Sequence, residues 1–271
     1  MAFAKTAAVG AAAFVLAGCA ALTPAPKGET IHRDLTYETV RGRDEHLDIY
    51  EPDGKAPPPL IVWIHGGGWR YGDKGFSLFV RHLTARGFAV ASVQYRLSWS
   101  AKYPAQIEDC RAALDWLRRN AHAHRLDARH VFVAGASAGG HLAALLGAEE
   151  GRPRVRAVFA MYPATDLAAF KNQGRRHGYI PSLLGGSVLE KRALAEEASP
   201  VNHIRANTPP FLILHGDRDG LVPIAQSIEL EKKLRAAGVE VKLEVQPGKG
   251  HGFGLTDAQL DEVAAFFREH Y

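Results

Sequence analysis

Cysteine is scarce in this chain, which has two cysteines among its 271 residues, Cys19 and Cys110. Cys110 lies in an alanine-rich segment with the pattern of a helix, which favours the role of a small buried hydrophobe over that of a nucleophile. Cys19 lies near the N-terminus, in a segment for which we predict a covalent modification of the thiol. We therefore expect no disulfide, even in an oxidising compartment.

A concentrated patch of positive charge is also missing. The formal net charge is +4 and the isoelectric point is about 9.1, but Lys and Arg are scattered rather than gathered into one stripe with aromatic residues. This distribution argues against nucleic-acid binding.

The chain has 13 histidines, yet no pair at helical spacing shares a pocket-forming segment with a suitable carboxylate. We therefore expect no metal site, and no cofactor is indicated.

The chain has no apolar run that would comfortably span a bilayer. The apolar stretch 6–16 follows Lys5 and is shorter than the roughly 20 residues that a span requires, which is typical of a signal peptide. It ends in Leu16-Ala17-Gly18-Cys19. This sequence resembles the lipobox of bacterial lipoproteins, in which the chain is cut before the cysteine and lipid is attached to its thiol. An ordinary secretory signal that happens to contain a cysteine is the alternative.

The lipobox resemblance implies a signal peptide at residues 1–18, lipidation of Cys19 and a tether at 19–30. Pro24 and Pro26 lie in this tether, which we expect to be flexible. Ala20, rather than aspartate, follows the cysteine, as in proteins retained at the outer membrane. We therefore expect an exported protein that is anchored by its N-terminal lipid at the outer membrane or in the periplasm of a Gram-negative-type bacterium.

Residues 31–271 have the pattern of one α/β domain. With 46% hydrophobic residues, the chain can bury one substantial core. Apolar alternation predicts strands at 35–40, 46–50, 59–64, 88–95, 131–134, 155–162, 211–214 and 241–245. The first two strands form an antiparallel hairpin, and the others alternate with helices, which predicts parallel pairing. We expect a mostly parallel eight-stranded sheet with helices on both faces, and a lid-like insertion at 166–209 after the sixth strand.

Helices are predicted at 73–86, at 104–120 and from 138 to about 147, and Thr256 begins a candidate capping box for the last helix. Parallel sheets of this kind bind ligands at the carboxyl ends of their strands. All the candidate site residues lie at such ends or in the loops that follow them.

Ser137 is the central residue of a Gly-Ala-Ser-Ala-Gly turn between an apolar strand and an Ala/Leu-rich helix. A serine held in so tight a turn leaves no room for side chains two residues away, which accounts for Gly135 and Gly139. The helix that begins near Ala138 directs its N-terminal amides at the same point, which favours developing negative charge. A second glycine loop, His65-Gly66-Gly67-Gly68-Trp69, follows another strand and offers backbone N–H groups to an oxyanion.

Together with Tyr95-Arg96-Leu97, the helix at 104–118 and His215-Gly216-Asp217-Arg218-Asp219, these motifs resemble the α/β-hydrolase superfamily. More narrowly, they are similar to the carboxylesterases related to the bifunctional feruloyl and acetyl-xylan esterases (BD-FAE-like), neighbours of the hormone-sensitive-lipase group. The resemblance runs from about Leu35 to the C-terminus. It is specific for the fold and the esterase machinery, and less so for the substrate.

The resemblance implies a catalytic triad of Ser137, Asp219 and His251. Asp217 is the alternative acid of the triad. If Asp219 is the acid, the expected role of Asp217 is to stabilise its own loop. His65 is expected to hold the glycine loop by hydrogen bonding rather than to act as the base. His141 and His215 are expected to be packing groups behind the site.

The resemblance also implies an oxyanion hole made by the backbone amides of Gly67, Gly68 and Ala138. Aromatic side chains near the predicted loops are candidates to line the substrate pocket. They are Trp69, Tyr162, Phe170, Tyr179 and Phe253. Because the insertion is the one sizeable candidate for a lid, the acyl pocket should be short.

The predicted activity is serine-dependent hydrolysis of short-chain or aromatic carboxylic esters. Candidate substrates are small-molecule or polysaccharide esters, including acetyl and feruloyl groups on polysaccharide. An arylformamidase-like amide hydrolase, which shares the loop and the triad, is one alternative. A surface-anchored binding module without turnover is the other, and the intact triad argues against it.

Overall fold

The structure is a computed structural model, which describes residues 28–75, 78–149, 155–170 and 178–271. The predicted signal peptide, Cys19 and nearly all of the predicted tether lie outside the described residues. Eight strands are present in these ranges: β1 Thr30–Val40, β2 Arg43–Glu51, β3 Pro59–Ile64, β4 Ala89–Val93, β5 Asp127–Ala136, β6 Val158–Met161, β7 Phe211–Gly216 and β8 Val241–Gln246.

All eight strands join one sheet in the order β1-β2-β4-β3-β5-β6-β7-β8. The β1–β2 and β2–β4 pairs are antiparallel, and the remaining neighbours are parallel. The predicted mostly parallel eight-stranded sheet with an antiparallel hairpin at one edge is therefore confirmed. Its topology brings the carboxyl ends of β3, β5 and β7 to one edge of the sheet.

Helices cover both faces of the sheet. They are α1 Leu78–Thr84, α2 Ala105–Arg119, α3 Ala138–Ala148, α4 Tyr179–Leu184, α5 Arg192–Glu197, α6 Ala225–Ala236 and α7 Asp257–Glu269, with a 3₁₀ turn at Pro200–Asn202. Alternate residues of each strand enter two apolar cores: α2, α3 and α6 pack on one, and α1 and α7 on the other. None of the helices in the described ranges is long and apolar enough to cross a membrane.

The helix predicted at 73–86 is shorter in the structure, where α1 begins at Leu78. Residues 73–75 form other contacts. The Asp73 carboxylate accepts a hydrogen bond from the Gly75 amide at 2.6 Å. The Lys74 amide donates to Gln94 Oε1 at 3.1 Å, and its ammonium group lies 2.8 Å from Asp48 Oδ1. Asp48 lies on β2 and Gln94 directly follows β4, so Lys74 is held against the sheet and residues 73–75 do not form a helical turn.

The connection at 166–209 contains α4, α5 and the 3₁₀ turn, and it joins β6 to β7. It lies against the loop that leads into α2, where the Tyr103 amide donates to Leu183 O at 3.0 Å. The predicted capping box is present at the start of α7, where Thr256 and Gln259 exchange side-chain and backbone hydrogen bonds. The thiol of Cys110 is fully buried on α2.

Candidate active site

Ser137 occupies the turn between β5 and α3 in a backbone conformation that non-glycine residues rarely adopt, with φ 55° and ψ −117°. The Ser137 amide donates to Met161 O at 2.9 Å, at the end of β6. The Ser137 carbonyl accepts from the His141 amide at 2.9 Å, within α3. The strained residue is thus held between the adjacent strand and its own helix.

The two glycines of this turn are required by close backbone packing. A Cβ atom at Gly135 would overlap the carbonyl of Gly139, and a Cβ atom at Gly139 would overlap the carbonyls of Ile64 and His65. The steric interpretation of the Gly-Ala-Ser-Ala-Gly sequence therefore agrees with the structure. The same packing places the start of α3 directly on the carboxyl end of β3, where the second glycine loop begins.

The structure brings Ser137, His251 and Asp219 into one hydrogen-bonded chain. The Ser137 hydroxyl donates to His251 Nε2 at 2.9 Å. His251 Nδ1 donates to Asp219 Oδ2 at 2.6 Å, which requires the proton of the neutral ring to be on Nδ1. In this arrangement Nε2 is an acceptor and can take the hydroxyl proton.

The Asp219 carboxylate is buried but surrounded by donors. Its Oδ1 accepts from the amides of Leu221 at 2.9 Å and Val222 at 2.8 Å. Its Oδ2 lies 3.3 Å from His215 Nε2, in addition to His251. Burial acts to raise the pKa of the Asp219 carboxyl, but the hydrogen bonds from His215, His251 and Val222 outweigh it and hold this pKa well below its usual range. The carboxylate is therefore charged where it contacts His251.

His215 is positioned by its own partners. Its Nδ1 accepts from the Ser227 hydroxyl at 2.6 Å, and its Nε2 donates to Val222 O at 2.8 Å. The ring is fully buried, so this network belongs to the interior rather than to a substrate surface. The sequence motif indicated a packing role for His215 but contained no sign of the Ser227 contact.

Asp217 points to a different partner. Its Oδ1 accepts from the Gly248 amide at 2.7 Å, and its side chain is exposed. The loop that carries His251 is also held by the Arg218 amide, which donates to Lys249 O at 3.0 Å. Asp217 therefore contacts the His251 loop, whereas Asp219 contacts the His251 ring.

The glycine loop after β3 lies against the Ser137 turn. A Cβ atom at Gly66 would be 2.8 Å from Ala136 O and 3.4 Å from Ser137 Cβ, so the two backbones are in contact. Gly67 has φ +115°, and a side chain there would overlap the carbonyl of Tyr71. Only glycine can occupy this position without moving the loop.

The amides of Gly67, Gly68 and Ala138 are available for an external acceptor. In the part of the chain that the structure describes, none of the three donates to a protein carbonyl. Ala138 is the first residue of α3, where backbone N–H groups have no partner within the helix. Among the described residues, the two segments thus contain three backbone amides without a carbonyl partner.

His65 is buried beneath this loop. Its Nδ1 donates to Gly66 O at 2.7 Å, and its ring stacks on Tyr95 with the centroids 4.3 Å apart. The Tyr95 hydroxyl in turn donates to His65 O at 3.0 Å. Burial lowers the pKa of the His65 imidazole to about 4, so the ring is neutral at physiological pH. These contacts agree with the expected supporting role of His65.

Trp69 and His141 connect the glycine loop to the insertion. Trp69 Nε1 donates to His141 Nδ1 at 3.1 Å, and His141 Nε2 donates to Ala198 O at 2.6 Å. Trp69 is 3% exposed, so its ring packs within the loop region, and its predicted contact with substrate stays a prediction. Burial lowers the pKa of His141 to about 4, so this link is made by a neutral ring.

The other aromatic candidates occupy three places. The Tyr162 ring lies 4.6 Å from the His251 ring and 5.2 Å from the Phe253 ring, centroid to centroid. The Tyr179 ring lies against Gly68, where a Cβ atom would overlap it. Phe170 packs on the apolar core. Tyr162 and Phe253 are therefore beside the base, and Tyr179 is beside the glycine loop.

No group of three or more histidine, cysteine, aspartate or glutamate side chains within the described ranges is arranged to hold a metal ion.

The BD-FAE family model matches residues 47–234, more than half of the chain. The chain belongs to the BD-FAE family. The match covers Ser137, Asp219 and the glycine loop, and it ends before the loop that carries His251. The family resemblance inferred from the motifs is therefore confirmed.

Proteins that are similar to this BD-FAE chain include named esterases. Esterase LipC of Mycobacterium tuberculosis is 29% identical over 87% of the chain and 64% of its own length. A truncated carbohydrate esterase from gut microbiota superimposes with a TM-score of 0.81 at 28% identity, over 89% of this chain and 96% of that one. A propionate-bound esterase of Thermogutta terrifontis gives a TM-score of 0.73 at 27% identity, over 91% and 96% of the two chains. The chain spans between 58% and 64% of the length of three curated relatives from M. tuberculosis.

The burial of His65 and His141 predicts a loss of stability in mild acid. Both have folded-state pKa values of about 4, whereas an unfolded histidine has a pKa of about 6.5. Between these values the unfolded chain binds more protons, so the free energy of unfolding is highest above pH 6.5 and falls as the pH drops toward 4. We expect a loss on the order of 1–3 kcal/mol per histidine, measured by urea denaturation at pH 7.5, 6.0 and 4.5.

The matched variants are His141→Gln, which removes one buried titrating group, and His122→Gln, which replaces an exposed histidine. His141→Gln should be less stable than the native protein at pH 7.5 and should lose less additional stability on acidification. His122→Gln should follow the native profile. Identical pH profiles for the native protein and His141→Gln would contradict the assignment.

Proposed function

We propose that this protein is a serine carboxylic ester hydrolase acting on short-chain or small aromatic acyl esters. The observation that carries the proposal is the continuous chain of hydrogen bonds from the Ser137 hydroxyl through His251 to the buried Asp219 carboxylate. Such a chain activates a hydroxyl that is otherwise a weak nucleophile. The esterase names of the similar proteins support the same reaction class.

In the first half-reaction, Ser137 Oγ attacks the ester carbonyl carbon while His251 Nε2 takes the hydroxyl proton. Asp219 holds the imidazole with its proton on Nδ1 and stabilises the imidazolium that forms. The imidazolium then gives its Nε2 proton to the leaving alcohol oxygen as the ester C–O bond breaks. An acyl-serine and the free alcohol result.

In the second half-reaction, a water molecule gives a proton to His251 Nε2 and attacks the acyl carbon. The bond from this carbon to Ser137 Oγ breaks, and Oγ recovers the proton from the imidazolium. The carboxylic acid is released. Each half-reaction passes through a tetrahedral oxyanion, which we assign to the amides of Gly67, Gly68 and Ala138. One such donor typically contributes about 10²–10³ in rate.

A short acyl group fits the surroundings of the triad best. Among its described residues, the insertion contributes two helices of six residues each and no long apolar helix. Tyr162 and Phe253 place aromatic surface beside His251. The Thermogutta terrifontis relative was solved with propionate, a three-carbon acid, which supports the same size class. We propose acetyl to butyryl groups as the main acyl substrates, including those esterified to carbohydrate.

The proposed acyl preference is tested with p-nitrophenyl esters of increasing chain length. We expect kcat/KM to fall steeply beyond butyrate, by about tenfold or more for each methylene that the pocket cannot hold. Ser137→Ala should abolish turnover while leaving the fold intact. Equal or better rates on decanoate would refute the short pocket. Preferential hydrolysis of an N-formyl anilide over acetate esters would instead favour the arylformamidase-like activity.

The acid of the proposed triad is tested by the pair Asp219→Asn and Asp217→Asn. Asp219→Asn should lower kcat by about 10⁴, because an amide at this position permits the wrong imidazole tautomer. Asp217→Asn should act mainly on the stability of the His251 loop, because its carboxylate contacts the Gly248 amide. Steady-state rates and urea denaturation of both variants separate these effects. Equal losses of kcat would overturn the choice of Asp219.

We further propose that the chain is exported and anchored by lipid at Cys19, on the basis of the Leu16-Ala17-Gly18-Cys19 sequence. Cys19→Ser should remove the protein from the membrane fraction, or leave its precursor unprocessed, without loss of esterase activity. Fractionation of expressing cells, with Cys110→Ser as the matched control, measures this. A membrane fraction unchanged by Cys19→Ser would exclude lipid anchoring at this residue.

A further inference from the structure

A cavity lies beside the glycine loop and outside the Ser137 site. It has a volume of about 560 Å³ and lies between the turn after β4 and the insertion. Its lining includes Arg70, Trp99, Lys102, Pro181, Ser182 and Glu190. None of the proposed triad residues lines it. We refer to it as the Trp99 cleft.

The wall of the Trp99 cleft is continuous with the glycine loop. The Arg70 amide donates to Gly67 O at 3.1 Å, so a cleft residue is bonded directly to a proposed oxyanion residue. Across the cleft, Tyr179 lies against Gly68 and is adjacent in sequence to a lining glycine. A group attached to an ester at Ser137 can therefore extend over the loop toward the cleft.

Trp99 is held in an exposed position by an ordered turn. Its side chain is 67% exposed. The turn around it is closed by the amides of Ser100 and Ala101, which donate to Leu97 O at 2.8 and 3.0 Å. The Gln106 side-chain amide stabilises the end of the turn by donating a hydrogen bond to Ala101 O at 2.9 Å. A large aromatic side chain presented to water on a rigid segment is typical of a binding surface.

Some polar side chains around Trp99 already form hydrogen bonds within the protein, whereas the Arg70 guanidinium has no ion-pair partner among the described residues. Lys102 Nζ donates to the carbonyls of Ser98 at 2.5 Å and Ser182 at 2.9 Å, and so joins the two walls. Glu190 accepts from the Ser187 hydroxyl at 2.8 Å. The Arg70 guanidinium lies over the Tyr71 ring at 5.7 Å and has no ion-pair partner among the described residues. Its donors are therefore available to a ligand.

The side chains that line the Trp99 cleft indicate which class of ligand can bind there. A long acyl chain is excluded, because it would remove water from three charged side chains without pairing them. A pyranose ring presents an apolar C–H face, which can stack on an indole, and hydroxyl groups at its edge, which accept hydrogen bonds from a guanidinium. Both features of a sugar have a counterpart in the cleft.

We propose that the Trp99 cleft is a glycan subsite, in which the Trp99 indole stacks on a sugar ring and Arg70 donates hydrogen bonds to its hydroxyl groups. The proposal rests on the ester hydrolysis proposed at Ser137, since it assigns the carbohydrate part of that substrate. Occupation of the cleft would hold an acylated sugar next to the glycine loop and lower KM for acylated oligosaccharides.

The kinetic test compares p-nitrophenyl acetate, which is too small to use the cleft, with acetylated xylo-oligosaccharides. Trp99→Ala should lower kcat/KM on the oligosaccharide by about tenfold, mainly through KM, because an aromatic stacking contact adds to the buried area. Its kcat/KM on p-nitrophenyl acetate should stay within about twofold of the native value. Trp99→Phe should recover part of the loss, and Arg70→Gln should show a smaller defect of the same kind.

Leu189→Ala is the matched control, because it removes a 76% exposed apolar side chain next to Glu190 that does not line the cleft. It should leave both substrates unaffected. Equal losses on the two substrates in Trp99→Ala, or no loss on either, would overturn the proposal.

Binding without turnover separates this proposal from the proposed activity. Deacetylated xylo-, gluco- and manno-oligosaccharides are titrated calorimetrically into Ser137→Ala and into Ser137→Ala with Trp99→Ala. Binding to the first protein that weakens at least tenfold in the second supports the subsite, even if the native protein hydrolyses no ester. Absence of binding by all three oligosaccharides, or equal binding to both proteins, overturns the subsite and leaves esterase activity on p-nitrophenyl acetate as a separate result.

Discussion

Close packing of the first turn of α3 on the carboxyl end of β3 is the constraint on which the rest of the site depends. No side chain fits at Gly139, because its Cβ atom would overlap the carbonyl of Ile64. The same contact brings the backbone of Gly66 against Ser137. The strained serine and the glycine loop are therefore parts of one packed unit, and neither can move without the other. Interiors packed to this density transmit small changes directly to neighbouring groups.

The carboxylate of Asp219 illustrates a second requirement, the stabilisation of a buried charge. Burial alone disfavours the charged form, whereas two amides and two imidazole groups compensate by donating hydrogen bonds. His215 is itself oriented by Ser227 on α6. The position of the His251 ring thus depends on a helix that makes no contact with Ser137 in the described network. A change on α6 can affect the triad through this chain of contacts.

The insertion is connected to the glycine loop at several points. His141 bridges Trp69 and Ala198, and the Ser98 hydroxyl lies 3.0 Å from that of Ser182. The Ser98 amide also donates to Trp69 O at 2.7 Å. These contacts join the insertion, the turn after β4 and the loop into one wall. The proposed glycan subsite lies on this wall, so its geometry and that of the proposed oxyanion hole are set by shared contacts.

Much of this architecture was predictable from local patterns. Each predicted strand corresponds to a strand of the structure, because burial on one or both faces of a sheet imposes a short-range apolar pattern. The Ser137 turn was predictable for a similar reason, since its steric requirement falls on residues only two positions away. The helix at 73–86 was predicted too long. Its first residues look helical in isolation, but Lys74 and Asp73 form hydrogen bonds to groups on the sheet or in a local turn.

The sequence by itself determined the strands, the serine turn and the membership of a hydrolase family, because each of these is indicated by short patterns or motifs whose own residues are close together in the chain. The family pattern alone favours Asp219 over Asp217 as the acid, and in the structure the Asp219 carboxylate bonds to the His251 ring whereas that of Asp217 bonds to the Gly248 amide. Only the tertiary structure decided that Trp69 is buried against His141, and that Trp99 borders a cleft with the insertion. These partners lie about 70 to 90 residues apart in sequence. Contacts across such separations form when elements pack, and no local periodicity encodes them.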